Sequence, residues 1–496
     1  MTVWLAIRVP LVLSSGKGKR PVHGITPLHL RLAPLLLIAL PLASCDLAPH
    51  YQRPALAAPS SFPQGPAYPT ATGTQQDIAA IGWKTFFTDE KLQQVIALGL
   101  ANNRDLRIAA ANILQARAQY RAQRADLFPT VAANAGAEAS HGNSTTTGTS
   151  TGGGTHHAYS ADIGISAFEL DLFGRVRNLT KAAQEQYFAT QAGADSTRIS
   201  LIAEIASAWL TLGSDQDQLA LSKQTLGTYQ QSVDLTRAQF DKGIASELDV
   251  QQAETNLQDA RFDVAQLTTQ IAQDQNALNL LAGTTVSADL LPAGIGTGDF
   301  TMAELPAGLD STVLLKRPDV LQAEDQLKGE NANIGAARAA FFPTISLTAA
   351  AGTASTALSG LFTGGAWTWN AGGSATQTVF DFGKNLANLR YAQASKQAAV
   401  ATYEKAVQTA FREVSDALAT RGTIGEQLSA RSSKVDAASR AATLSLARYR
   451  NGIDSFLTTL DAQRTLYTAQ QSLVTSRLQR ETNLVTLYST LGGGLS

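Results

Sequence analysis

Few residues in this chain of 496 are arranged for chemistry. There is no GxSxG nucleophile turn, no HExxH zinc pair and no phosphate-binding loop. Asp381-Phe382-Gly383 has the form of the kinase magnesium triplet, but no Gly-rich loop, strand lysine or catalytic-loop motif accompanies it. It reads as a turn from strand to helix. Gly294, Gly296 and Gly298 approach a dinucleotide fingerprint without its spacing or βαβ setting, and read as linker. His141, His156 and His157 fall in a Gly/Ser/Thr-rich stretch that reads as a solvated hairpin loop rather than a metal site. Neither an enzyme nor a cofactor is implied.

Two positions carry more meaning. Cys45 is the only cysteine, and it follows the apolar run Leu32 to Leu42, itself preceded by Lys17, Lys19, Arg20 and Arg31. That layout, ending Leu42-Ala43-Ser44-Cys45, reads as a secretion signal over 1–44 closed by a lipobox, with acyl chains on Cys45 and no disulfide. Asp46 complicates the destination, because aspartate after the lipidated cysteine retains lipoproteins of enteric bacteria at the inner membrane. Asp461 is the second position. It lies about two helical turns after Gly452, with Leu457 one turn before it on the same face and Arg464 three residues beyond. On a solitary helix this is a solvated charge. In a symmetric tube it recurs once per subunit as a ring of like charges, and such rings select or gate ions.

The element that positions Asp461 is half of a repeat. Arg237 to Ala253 recurs as Leu446 to Ala462, with Phe240, Gly243, Ile244, Ser246 and Leu248 falling on Tyr449, Gly452, Ile453, Ser455 and Leu457. In each copy a long helical segment arrives, a glycine breaks it, and a serine stands ready to cap the second helix, which then leaves. Each copy is the tip of a helical hairpin. The absence of proline between Pro129 and Pro292, and after Pro343, leaves room for unbroken helices. The stretch Gly174 to Phe240 predicts a rod of roughly 100 Å at about 1.5 Å per residue. Such a helix needs neighbours along its length. On the descending helix Val250, Ala253, Leu257, Ala260, Val264, Leu267, Ile271, Leu278 and Leu281 keep a heptad pattern in which Asp274 is the one polar intruder.

Upstream, Asp105, Arg124 and Phe128-Pro129-Thr130 recur as Asp319, Arg338 and Phe342-Pro343-Thr344, whereas Phe173-Gly174, Glu204 and Gly283 recur as Phe382-Gly383, Glu413 and Gly492. The offset changes between Thr130 and Phe173, which places an exposed loop there. Its flanks alternate, with Tyr159, Ala161, Ile163, Ile165 and Ala167 on one side and Ser160, Asp162, Gly164 and Ser166 on the other. Their length suits tilted membrane strands, and Trp367 and Trp369 open one strand where an interfacial aromatic belt belongs. Four strands cannot close, and open edges are not tolerated in lipid, so several chains must pool them. No apolar run is long enough for a spanning helix. The net charge of -1, on 16% charged residues, gives no footprint for nucleic acid. The expected organisation is a signal (1–44), an extended proline-rich strap (45–77), a first repeat (78–292, strand hairpin 129–171, tip near 243), a linker (293–310), a second repeat (311–492, strand hairpin 343–381, tip near 452) and a short tail (493–496).

With Cys45-x-Leu47-x-Pro49-x-Tyr51, Trp83-x-x-Phe86-Phe87-x-Asp89, Asn102-Asn103-x-Asp105-Leu106, both Phe-Pro-Thr triplets and both glycine tips, the mature chain resembles outer-membrane efflux channels of the TolC type, in the lipoprotein subgroup that includes OprM. The resemblance implies a mixed α and β membrane protein. Three copies would make a twelve-stranded barrel above a long-helix tunnel, with an equatorial belt of shorter elements. It further implies a passive, non-enzymatic exit duct, whose tips at Gly243, Ile244, Gly452 and Ile453 meet a periplasmic adaptor coupled to an inner-membrane pump of the RND type. Leu457 and Asp461 stand at the family's inner constriction with Arg464 beside them. Thr458 occupies a position where some members carry a second aspartate, so a double acidic ring is not expected. A periplasmic adaptor with one hairpin, or a purely structural coiled-coil lipoprotein, fits two tandem hairpins and two strand pairs less well.

Overall fold

A computed structural model describes residues 46–69, 81–142, 154–296, 298, 300, 301 and 310–495. The expected signal, Cys45, and parts of the first strand loop and of the inter-repeat linker lie outside the described residues.

The helical half begins with α1 (Trp83–Phe86), α2 (Glu90–Asn102) and α3 (Arg104–Ala125). Asp89 caps α2 by accepting from Leu92 N, and Leu92, Val95 and Ile96 bury its apolar face. Asn103 then separates two helices by capping α3 through the amides of Asp105 and Leu106. After the first strand pair come α4 (Arg175–Asp241) and α5 (Glu247–Ala282). The second repeat supplies α6 (Pro318–Ala339), a strand pair, α7 (Lys384–Arg450) and α8 (Phe456–Thr490). Helices α4 and α7 each run 67 residues without a break. Each starts after a left-handed glycine, Gly174 or Gly383, as the Phe-Gly turns predict. On α5 the predicted seam is buried at its two ends, at Val250, Ala253, Leu257 and Ala260 and at Leu278, while Val264, Leu267, Ile271 and Leu281 are half-buried. The largest core gathers where α1, α2 and the strap meet the long helices. There Phe86 stacks on Tyr488, whose hydroxyl donates to Ile81 O at 2.5 Å, and Trp209 Nε1 donates to Leu290 O.

The four strands β1 (Val131–Gly142), β2 (Gly154–Leu170), β3 (Thr344–Ser355) and β4 (Trp367–Thr376) form one antiparallel sheet in sequence order. Its rungs put Ala133, Ala135, Ala161, Ile163, Ala351, Thr353, Trp367 and Trp369 on one face, and Asn134, Ser160, Asp162, Gly352, Thr368 and Asn370 on the other. The expected alternation fails at Ala167. A bulge between Ile165 and Phe168, with Ala167 at φ 53, inserts a residue into β2. The slip returns Phe168 and Leu170 to the apolar face, opposite Leu347 and Ile345. It also turns Glu169 to the polar face, where Arg175 grips it at 2.9 and 2.5 Å. Strict alternation would have exchanged those faces. The strands also run further than expected: His141 lies in β1 and His156 and His157 in β2, so these histidines belong to a ladder and not to a loop.

The described part of the strap after Cys45, residues 46–69, has no helix or strand but is well anchored. Asp46 Oδ1 accepts from Asn178 at 3.0 Å, Leu47 O from Arg338 and Pro49 O from Asn331. Arg53 makes a two-pronged contact, 2.9 Å on each prong, with the buried Glu324 of α6. Partial burial opposes ionisation of Asp46, but the hydrogen bonds from Ala48 and Asn178 outweigh it and hold the carboxyl below its ordinary range.

Candidate functional site

The two tips share one stop signal. In the first, Gly243 (φ 69) donates to Phe240 O and Ile244 N reaches back to Gln239 O. In the second, Gly452 (φ 70) donates to Tyr449 O and Ile453 N reaches Arg448 O. These paired bonds close the last turn around a left-handed residue that glycine adopts without penalty. The restart differs. Ser246 forms a full capping box with Asp249, whereas Ser455 accepts no backbone bond through its side chain and contacts only the Thr458 hydroxyl, at 3.3 Å. The capping serine predicted at the second tip therefore occupies the cap position without the interaction, its hydroxyl turned to the Thr458 hydroxyl instead. A two-pronged Arg448–Asp454 ion pair spans this tip instead.

Helix α8 divides cleanly behind its tip. Phe456, Leu460 and Gln463 are buried against the first hairpin, in a cluster with Tyr229, Val233, Ala253, Leu257 and Ala260. One turn on, Tyr467 OH donates to Asp263 at 2.8 Å and pairs with Ser222 at 2.7 Å, while Gln463 donates to Ser232 at 3.2 Å. Burial and the neighbouring Asp263 push the Tyr467 hydroxyl up to about 12. Sequence reasoning missed this link between hairpins. Its only trace was a polar set spaced along otherwise apolar faces. The rotated stripe Leu457, Asp461 and Arg464 is exposed, as are Ile244 (72%) and Ile453 (61%). No ion pair joins Asp461 to Arg464 among the described residues. The structure thus brings the predicted tip and constriction residues to one end of the molecule, on a face that the chain itself leaves open.

At the other end, Trp367 and Trp369 are 67% and 72% exposed and stand within a few rungs of Tyr159 on the apolar face of the sheet. Outer edges of β1 and β4 have no partner strand among the described residues. No described helix is long and apolar enough to cross a membrane.

Two long helical hairpins beneath a four-stranded sheet, joined by a repeat, can be set against known proteins. Residues 95–284 and 309–493 match the outer membrane efflux protein family. The chain belongs to that family. It is 47% identical to the probable efflux pump outer membrane protein TtgC of Pseudomonas putida, over 93% of this chain and 95% of that protein. It is 38% identical to outer membrane protein OprJ of Pseudomonas aeruginosa, over 96% and 97%. Among solved structures, the open state of the MtrE outer membrane channel of Neisseria gonorrhoeae superposes with a TM-score of 0.81 at 36% identity, covering 91% of this chain and 99% of that one. The protein is an outer-membrane efflux channel, and the mixed fold with long helices, four strands and an internal repeat is the one its sequence predicts.

Proposed function

We propose that three copies assemble into a passive duct, the strands pooling into a twelve-stranded barrel and the helices into a tunnel. The observation that carries this is the sheet: one face apolar, one polar, and both edges unpaired among the described residues. Such a sheet is stable in lipid only when closed by further strands, and four are too few to close. A lipid anchor on Cys45 fits a strap that is fastened from its first described residue, Asp46. Trp367 and Trp369 would sit at the lipid–water boundary, where amphipathic rings are favoured.

The periplasmic end is proposed to be shut by Leu457 and Asp461, with Arg464 beside them, while the Tyr467–Asp263–Ser222 bonds hold the second hairpin against the first. Exposed Gly243, Ile244, Gly452 and Ile453 are proposed to meet a periplasmic adaptor that couples the duct to an inner-membrane pump of the RND type. Relatives are named for toluene, antibiotic and solvent efflux, which points to small apolar compounds as cargo. Single-channel recording in planar bilayers tests the reading. Asp461→Ala and Tyr467→Phe are expected to raise conductance severalfold over the parent protein, and unchanged currents in both would remove this end as the gate. A protein that forms no pore would defeat the duct itself.

A further inference from the structure

The repeat shows what the interface between copies must contain. Arg317, 8% exposed, precedes α6. It pairs with Asp319 at 2.7 Å and Glu413 at 2.8 Å and donates to Thr490 O at 2.7 Å. Helix α4 lines the cavity beside this cluster with Ser196, Ser200, Ala203 and Glu204, while two carboxylates, Asp319 and Glu413, hold the guanidinium. Under the repeat offsets, Arg317 corresponds to Asn103 and Thr490 to Leu281. The structure confirms the match: Asn103 Nδ2 donates to Leu281 O at 3.0 Å, as Arg317 does to Thr490 O. Asp319 and Glu413 correspond to Asp105 and Glu204. The first repeat therefore keeps both acids and lacks the cation.

The wall is what changes in compensation. Residues of α7 corresponding to Ser196, Ser200, Ala203 and Glu204 are Lys405, Thr409, Arg412 and Glu413. Where α4 is neutral, α7 carries two cations. Lys405, Arg412, Asp105 and Glu204 are all exposed, and none forms an ion pair among the described residues. Arg104, beside Asp105, donates instead to Asn102 O at 3.3 Å, and Asp416, one turn from Arg412, is exposed and unpaired. The apolar surroundings obey the same logic. Helix α6 packs on α4 so closely that a Cβ at Gly335 would lie 2.7 Å from Asn178, and it buries residues along its whole length. Its counterpart α3 buries only Ala116 and exposes Ile108 and Leu114, while α7 exposes Leu386 and Tyr391. Both surfaces lack the neighbour that the other repeat has.

We propose that Lys405 and Arg412 of one subunit close onto Asp105 and Glu204 of the next copy, supplying between subunits the cation that Arg317 supplies within the chain. This rests on the trimer reading, and the test separates the two. The full chain carrying Asp105→Cys with Arg412→Cys is oxidised in membranes and run on a non-reducing gel beside each single variant, with Cys45 retained in all. Covalent dimers and trimers in the double variant alone are expected. A trimer by light scattering in detergent that gives no covalent band overturns the junction and leaves the trimer standing, whereas a monomer overturns the trimer. As a second arm, Arg412→Glu should lower the temperature at which trimers dissociate, and adding Asp105→Arg should restore it. Failure of restoration with an intact Arg412→Glu trimer counts against the pairing.

Discussion

The seam between α4 and α5 and the seam between α7 and α8 are copies that differ in polarity. The first holds Asp215 facing Asp274, whereas matching positions in the second are the buried Ile424 and Asn483, the latter donating to Ala417 O at 2.9 Å. Asp274 Oδ2 is buried without a hydrogen-bond partner among the described residues. Burial first, then the neighbouring Asp274 carboxylate, pushes the Asp215 carboxyl up to about 7. The same contrast appears at the belt, where the second repeat has Arg317 and the first Asn103. One copy is closed by internal pairs, and the other keeps exposed charge that the chain itself does not pair among the described residues.

The largest effect that would sharpen this contrast is at the belt. Arg317→Ala leaves Asp319 and Glu413 facing each other and should destabilise the detergent-solubilised protein by about 2–3 kcal/mol in chemical unfolding, below the value for fully buried pairs because both carboxylates are partly solvated. Asn103→Ala should cost about 1 kcal/mol, one cap and one carbonyl bond. Equal losses would end the distinction. The acidic seam predicts a pH dependence. Because the folded pKa of Asp215 lies above the unfolded value, the folded state binds more protons between about pH 4 and pH 7. Stability is then fully present at the acidic end and is lost as pH rises through about 7. Asp215→Asn should flatten that slope in thermal unfolding across pH, and Ile424→Asn in the other seam should leave it in place.

Smaller effects concern the tips. Gly243→Val and Gly452→Val should each cost about 1–2 kcal/mol, since both residues are left-handed and neither has atoms nearby to relieve or worsen the strain. Different losses at the two would show that one tip has a second constraint. Ser246→Ala should cost about 1 kcal/mol by removing the capping box, and Ser455→Ala well under half as much, both read by chemical unfolding.

Much of this was legible because glycines at helix ends and proline-free runs write the backbone directly into the sequence. Gly174, Gly243, Gly283, Gly383, Gly452 and Gly492 all have positive φ, and each bounds an element that the repeat predicted. The bulge at Ala167 was not legible, because an inserted residue and a regular one look alike until the partner strand fixes the register. The cap at Ser455 failed because residue type does not fix where a hydroxyl points, and this one meets the Thr458 hydroxyl and not a backbone amide. Tyr467 and Gln463 were missed for a related reason: their partners lie on helices more than 200 residues away in sequence. The stripe Leu457–Asp461–Arg464 was found from spacing, and a single chain leaves it exposed.

Equal length of α4 and α7 has a consequence for how such a protein can change over generations. Deleting one residue from one rod would lift its tip by about 1.5 Å and turn everything beyond the deletion by about 100°, presenting the wrong stripe at the far end. Removing seven from each would shorten the reach by about 10 Å while nearly preserving the facing sides. The span of the envelope that this family can bridge should therefore vary in paired heptad steps, like a ruler with coarse graduations, and not residue by residue.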